Sequence, residues 1–477
     1  MQDWSLSSLD ISFLAIETPN TPSNLGAVVL LDAGDLEGGP GFDGVSRLAA
    51  VLGERAGLVP RLRRRLRSDW LPPGGASWAE DPGFEAARHI HVHRTLGRGG
   101  PEELAAWVGR TVATPLDRAR PLWELHLLWG LCLPAATGGA GADRRGPDLP
   151  TVALLVKFHH AFVDGVNGGA VLAALVDGGS AAAVPEPAEL PDRPFAAPRA
   201  LARRTLGPLA GLSDPKRLAR LAASTLATAT GVVQSMARPP SGLPFDTTVG
   251  PQRHFAMSSV CLTDVRAVRK AHGGMANDVL VSLVAGAART WLAKHNHDPD
   301  GVDLRAMIPV AGRRTGGAGA SGNNFSAFLI DLPVAEPDPL VRLHRVRTQM
   351  EHHKDVGPEG GAGAVAGLTN ILPPVAVRLG GPLLATHAAR LFDVLVTTVP
   401  IPRPASIGGA AVREVYPIAP LAQGQPLGVA LSTYRGRAYV GITADPVVVP
   451  DPAGLAAAVP EALADLMAAA GVAPSEA

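Results

Sequence analysis

The chain has 477 residues, 46% of them hydrophobic and 18% charged, with abundant Gly (54) and Pro (44) and few aromatics (4%). That length exceeds the ~250–300 residues at which a single core stops growing, so two domains are expected, and the apolar share excludes a disordered chain. Forty-three basic residues against forty-three acidic ones argue against a general nucleic-acid binder.

The N-terminal stretch "MQDWSLSSLDISFLAIE" carries acidic residues and no basic leader, so it does not read as a secretory signal. No run approaches the ~20 apolar residues needed to span a bilayer. A cytoplasmic protein is expected, soluble or peripheral to the inner membrane or to lipid inclusions. "LGAVVLL" (25–31) reads as a buried strand bounded by Pro22 and a Gly-rich turn. "RHIHVHR" would place His89, His91 and His93 on one face of a strand, a spacing compatible with metal, although no metal is expected there. "PEELAAWVGRTVA" (101–113) opens like a helix, with Pro first and acids in the first turn. "PLWELHLLWGL" (121–131) reads as a strand, and the low-complexity stretch 134–150 as a surface loop. The two cysteines, Cys132 and Cys261, are expected to be reduced and in cores.

Residues 151–158 form a further apolar strand that runs into "HHAFVDG". A strand-to-helix turn is where a rigid scaffold aims side chains into a cleft. An imidazole with a reference pKa of ~6.5 suits general-base work at neutral pH. Adjacent residues on extended backbone point to opposite sides, so one histidine of the pair faces substrate. His160 is the candidate base and His159 the orienting partner. Asp164 either holds the imidazole or pairs with an arginine that locks the loop, and Gly165 relieves backbone crowding. The same residues also fit ordinary hairpin chemistry, with Asp-Gly as the turn.

Beyond residue 180 the composition turns Pro/Ala-rich. From Arg193 to Arg220 seven basic residues stand against the single Asp214, as on a solvated connecting helix or on one that lies against an anionic lipid surface. After 250 a second α/β region begins, with strands read at "HFAMSSVCL", "LRAMIPV", "SAFLIDLPV", "DVLVTTVP", "PLGVALSTYRG" and "RAYVGITAD". Helices are read at "TDVRAVRKAHG" and "NDVLVSLVAGAARTWLAKH". "GGAGASGNN" (316–324) lacks the Gly-Lys-Ser/Thr ending of a phosphate loop. His352 and His353, in a polar helix with no Asp-Gly behind them, are expected to be exposed. The organisation expected is 1–180 as a first domain, 181–250 as a linker with a basic helical segment, and 251–477 as a second domain.

"HHAFVDG" resembles the active-site motif of acyltransferases related to chloramphenicol acetyltransferase and to peptide-synthetase condensation domains. The chain as a whole resembles the bacterial wax ester synthase/diacylglycerol acyltransferase family. The resemblance runs through "LSSLDISFLAIETPNTP", "PRLRRRL", "TPLDRARPLWELHLLWGL", "GNNFSAFLIDLP" and "REVYPIAPLAQGQPLGVALSTYRGR", from about residue 5 to 452. It implies an α+β fold of two chloramphenicol acetyltransferase-like domains, each a mixed sheet with helices, and a tunnel at their interface. Acyl-CoA would be a co-substrate, no cofactor would be bound, and a lipophilic alcohol (diacylglycerol or a fatty alcohol) would be the acceptor. His160 would then deprotonate the hydroxyl directly. The absence of a G-x-S-x-G elbow in the chain agrees with a route that needs no acyl-enzyme.

In the family the motif Asp is mainly structural, and Arg305 is the expected partner of Asp164. Asn277 and Asp278 are candidates for the tunnel or oxyanion site. The segment 193–220 is the candidate contact with membrane or lipid droplets. Departures from the family pattern fall at "TPSNLG" (21–26), "TTVPIPRP" (397–404) and Gln423, and they bear on the choice of acceptor. Two other functions fit the same residues: a non-catalytic lipid-binding or droplet-coating protein of this fold, and transfer to a secondary-metabolite hydroxyl or amine.

Overall fold

The computed structural model describes residues 4–68, 75–136, 145–163, 165–184, 249–302, 304–311, 325–356, 375, 378, 391–401 and 406–475. Asp164, most of the 181–250 linker with its basic segment, and the Gly-rich 316–324 lie outside the described residues.

The first half opens with β1 (Trp4–Ser5), α1 (Ser8–Ile16), β2 (Asn24–Asp32) and α2 (Phe42–Leu58). It continues with β3 (Arg64–Ser68), β4 (Ala76–Glu80), β5 (Ile90–Arg94), α3 (Pro101–Ala113), β6 (Trp123–Ala136), β7 (Arg145–His159) and α4 (Gly165–Leu175). β6 and β7 form one long antiparallel hairpin that takes up most of the expected surface loop. Val152 to Val156 on β7 are consecutively buried, as expected of a central strand covered on both faces. Both cysteines are free, but Cys132 is exposed and Cys261 only half-buried, so neither is a core residue.

The second half contributes β8 (His254–Cys261), α5 (Leu262–His272), α6 (Ala276–Lys294), β9 (Leu304–Ala311), β10 (Phe325–Leu332) and α7 (Pro339–Val356). Then come β11 (Val394–Thr398), β12 (Ser406–Ile407), β13 (Ala410–Ile418), β14 (Leu427–Tyr434), β15 (Arg437–Ala444) and α8 (Pro452–Ala469). Its sheet runs β10-β9-β11-β14-β15-β8. α6 is buried almost all round, because small residues let its neighbours approach closely: a Cβ on Gly286 would meet the Cβ of Ala462 on α8 at 3.0 Å.

The chain after residue 251 does not stay with its own sheet. β12 and β13 complete the first sheet, whose order is β12-β13-β2-β7-β6-β5, with β13 antiparallel to β2 from Val412↔Leu31 to Ile418↔Gly26. β13 also lies across β14 and β15 of the second sheet. Ser432 Oγ donates to Val415 O (3.1 Å) and Tyr434 Oη to Val412 O (3.1 Å), while Tyr416 packs edge-on against Tyr439 at 5.1 Å. All three tyrosines of the chain thus sit at this crossing. Only a residue without a Cβ fits at Gly441, where one would fall 1.9 Å from Pro417 O. The two halves are therefore tied by an exchanged strand as well as by surface packing.

Candidate active site

β7 ends at His159, which pairs with Asn24 on β2, and His160 N–H adds one more bond to Ser23 O (2.8 Å). The backbone then folds sharply, with Phe162 N–H donating back to His159 O at 2.8 Å. Arg61, from "PRLRRRL", fixes the outside of this turn by donating from Nε to Phe162 O (3.0 Å), and its guanidinium lies 5.5 Å from the Phe162 ring centre. α4 starts at Gly165, immediately beyond the turn.

The tautomer of His159 follows from this geometry. Ala161 N–H donates to His159 Nδ1 (3.0 Å), so Nδ1 is the acceptor and the ring proton sits on Nε2. Nε2 faces Glu17 Oε2 at 3.3 Å, and Glu17 is gripped in turn by Arg118, whose Nε lies 3.0 Å from the same oxygen. Burial opposes ionisation of Glu17, but His159 and Arg118 outweigh it and bring its pKa down to about 2. His159 is thus a buried ring, oriented by contacts at both nitrogens.

His160 has a different environment. Its imidazole stacks on Phe13 with ring centres 3.9 Å apart and planes 16° from parallel, and it keeps partial access to the surface. Desolvation, with His159 behind it, pushes its pKa down to about 4. At neutral pH it is therefore the free base, the form able to accept a proton.

Both histidines are served by one short helix. Phe13 and Glu17 are four residues apart, so α1 and its C-cap residue present them on the same side. α1 is held at its start by Asp10, which accepts from Ser7 N–H (2.9 Å) and Ser7 Oγ (2.6 Å). Between Glu17 and Ser23 a turn closed by Thr18 and Thr21 is reached from the second half, where Arg253 donates from Nη2 to Asn20 O. The site thus borders the junction of the halves. Asn24, within the divergent "TPSNLG", donates to Val112 O (2.9 Å) and Thr114 O (2.8 Å), and so closes the C-terminus of α3.

A family model described as the wax ester synthase/diacylglycerol acyltransferase catalytic domain matches residues 6–280, and the C-terminal domain model of the same family matches 321–467. The chain belongs to the wax ester synthase/diacylglycerol acyltransferase family. It is an acyltransferase of that family. A Mycobacterium tuberculosis protein named as a diacylglycerol O-acyltransferase is 29% identical over 97% of this chain and 90% of its own length. A second from that species, also named a diacylglycerol O-acyltransferase, is 27% identical over 97% and 96%. Among solved structures, the wax ester synthase/diacylglycerol acyltransferase of Marinobacter aquaeolei VT8 superposes with a TM-score of 0.67 at 22% identity, covering 98% of this chain and all of that one. The trichothecene 15-O-acetyltransferase of Fusarium sporotrichioides gives 0.60 at 14% identity over 97% and 94%, which shows the shared fold.

The other residues expected at the family site are placed as follows. Asn277, near the start of α6, accepts a 2.6 Å hydrogen bond from Thr398 Oγ1, so one of the divergent positions engages it directly. Asp278 is buried and caps α6 by accepting Met275 N–H at 2.7 Å, which gives it a structural task. Arg305, proposed above as the partner of Asp164, lies on β9. Its Nε is 3.2 Å from Asp331 Oδ1 and its backbone N–H is held by Asp393 (2.7 Å). No described contact brings Asp278 or Arg305 to His160.

Glu17, Phe13, Arg61 and Arg118, which surround the histidine pair, were not among the expected site residues. Their segments carried the family resemblance, but the pairing of α1 with the β7 turn is a long-range contact. His89 departs from the expected row of three. It lies in a 3-10 turn before β5, stacks on Trp123 (4.5 Å) and bonds to Trp123 O (2.9 Å). No helix among the described residues is long and apolar enough to cross a membrane.

Proposed function

We propose that this protein transfers a long acyl chain from acyl-CoA to a lipophilic hydroxyl, that of diacylglycerol or of a long-chain fatty alcohol, by direct attack with His160 as general base. The observation that carries the reading is a neutral His160 on a turn fixed by Arg61, next to a His159 whose tautomer is set by Ala161 and Glu17. His160 takes the hydroxyl proton as the oxygen attacks the thioester carbonyl. The tetrahedral intermediate collapses with cleavage of the C–S bond, and the thiolate leaves with the proton returned by the imidazolium.

In this reading residues 1–180 and 251–477 are the two acyltransferase-like domains, and an apolar tunnel between them holds the acyl chain. Burial there is worth ~0.8 kcal/mol per CH₂ and keeps water from the thioester. Asp164 shapes the turn, and Asn277 is the oxyanion candidate that remains in play. The basic segment 193–220 is the proposed contact with an anionic lipid surface, through which a cytoplasmic enzyme reaches its insoluble acceptor.

The test is an assay of the purified full chain with palmitoyl-CoA and either dioleoylglycerol or hexadecanol, following thiol release and ester product together. Acceptor-dependent ester formation is expected. Thiol release without ester from either alcohol would replace this acceptor class by water or by a different hydroxyl or amine. No thiol release at all would favour a lipid-binding protein of the same fold.

A further inference from the structure

On the first sheet β5 runs parallel to β6 with His91 opposite His126. The strand period of two puts His91 and His93 on one face, with Glu124 and His126 beside them. Their contacts bear this out. His91 and His126 stack with ring centres 4.7 Å apart, His126 Nε2 lies 3.0 Å from Glu124 Oε2, and His126 Nδ1 lies 3.2 Å from His93 Nε2. One donor atom each from His91, Glu124 and His126 falls within 4.8 Å of the other two. We propose that His91, Glu124 and His126 form a site for a divalent transition metal, Zn²⁺ in the first instance, that clips the edge strand β5 to β6.

The donor chemistry fits. Zinc takes imidazole nitrogen and carboxylate oxygen at ~2.0–2.2 Å in tetrahedral array, which sets neighbouring donors ~3.3 Å apart. His126 and Glu124 already stand close to that spacing, and a ring nitrogen of His91, half-buried on the edge strand, lies within 4.8 Å of both donors. His93 supplies the outer contact that metal-bound imidazoles usually have. With His126 Nδ1–H donating to His93 Nε2, the His126 Nε2 lone pair is directed at the carboxylate, and a cation between the two satisfies both. His91 and Glu124 are each only partly buried, which leaves a side open for a fourth, solvent ligand.

The group that opposes a cation is Lys157 on β7, whose fully buried Nζ lies 2.9 Å from Glu124 Oε2. A dication that takes this carboxylate has to displace the Lys157 ammonium from Oε2. Without metal the same atoms can form a closed hydrogen-bonded relay, from His93 through His126 to Glu124. That arrangement is the competing account.

The experiment uses the full chain stripped of metal by chelator and dialysed. Titration with zinc sulfate, followed by calorimetry and thermal melting, is expected to show one equivalent bound and a raised melting temperature. Cobalt(II) in place of zinc should give a visible d–d band of nitrogen/oxygen coordination. His91→Gln and Glu124→Gln should each abolish the stoichiometric binding, and His93→Phe should weaken it about tenfold. His352→Ala should change nothing. One-equivalent binding that survives both His91→Gln and Glu124→Gln would overturn the site, as would a wild-type chain that gives no cobalt band. Neither readout involves acyl transfer, so the proposed catalytic role stands or falls separately.

Discussion

The chain contains the dipeptide His-His twice, at 159–160 and at 352–353, and the two regions put it to different use. In both, one ring stacks on a phenylalanine: His160 on Phe13, and His353 on Phe328 with ring centres 4.9 Å apart and planes 9° from parallel. At 352–353 the backbone is the helix α7, where His352 is exposed and His353 donates from Nε2 to Leu329 O (2.9 Å), tying α7 to β10. At 159–160 the backbone is the end of a buried strand, and a carboxylate with its own arginine stands behind the first ring. Aromatic stacking therefore does not tell the two pairs apart. What distinguishes the first pair is a desolvated second ring whose neighbour is locked in one tautomer.

The sharpest way to break this comparison is to remove the ring proposed as the base. His160→Ala should lower kcat by ~10²–10⁴, the usual worth of a general base, while leaving the melting temperature close to that of the parent. The readout is ester formation under saturating acyl-CoA, with circular dichroism to confirm the fold. Near-parental turnover would remove His160 from the mechanism.

The Glu17 carboxylate behind His159 comes next. Glu17→Ala leaves the buried His159 Nε2–H without its acceptor, while the half-exposed Arg118 guanidinium still donates to Leu14 O. It should cost about 1–3 kcal/mol of stability in urea unfolding. It should also reduce kcat by up to about 10²-fold, because the ring that sets the turn is no longer held. Glu17→Gln keeps an acceptor oxygen and should recover most of the stability. If Glu17→Ala proved neutral in both measurements, the first histidine would need no more support than the second pair has.

How much of this was legible beforehand depends on contact range. Strands such as 25–31, 151–158 and 427–434 announce themselves as apolar runs, and the double-histidine turn shows as a motif between one of them and a glycine-rich helix. β13 does not, because nothing in "AAVREVYPI" says which sheet it joins. Its exchange into the first sheet is fixed by pairing with Leu31 and Gly26, nearly four hundred residues earlier. Glu17 was hidden for the same reason: it reads as a helix end, and only the fold brings it against His159. Arg305 was assigned to the motif by family analogy; its described side-chain partner is Asp331 across the β9–β10 ladder, and Asp164 lies outside the described residues. His91 and His93 were visible as an alternating row, but their neighbours Glu124 and His126 needed the parallel β5–β6 register to bring them close.

The pH profile separates the two pairs without mutation. Protonation of His160 removes the base, and its pKa is pushed down to about 4, so kcat/KM should stay level from neutral pH to about 5 and fall below that. An inflection near the ordinary histidine value of ~6.5 would instead mean that His160 is solvated like a surface residue. Stability should follow the same ionisation with a definite sign. Between about 6.5 and 4 the unfolded chain binds a proton at His160 that the native state does not, so stability falls as pH is lowered through that window. Glu17 acts lower down. Its folded pKa of about 2 lies below the usual 4.5, so its contribution is complete above 4.5 and is lost as pH falls from there towards 2.

The smallest effect is expected at the second pair. His353→Ala removes one hydrogen bond to a backbone carbonyl and one stacked ring at the edge of the second sheet, so the loss should be about 1 kcal/mol of stability. Because α7 lies on the second sheet and the described hydrogen bond and phenylalanine stack of His353 are to β10, kcat and KM for both substrates should be unchanged. A measurable drop in kcat with stability intact would show that the two halves communicate through this helix. The contrast between a reactive pair and a structural pair would then have to be redrawn as a coupling between them. Unchanged kinetics together with a lowered urea midpoint would leave His353 as a tie between a helix and a strand, and would confine the chemistry to the turn after β7.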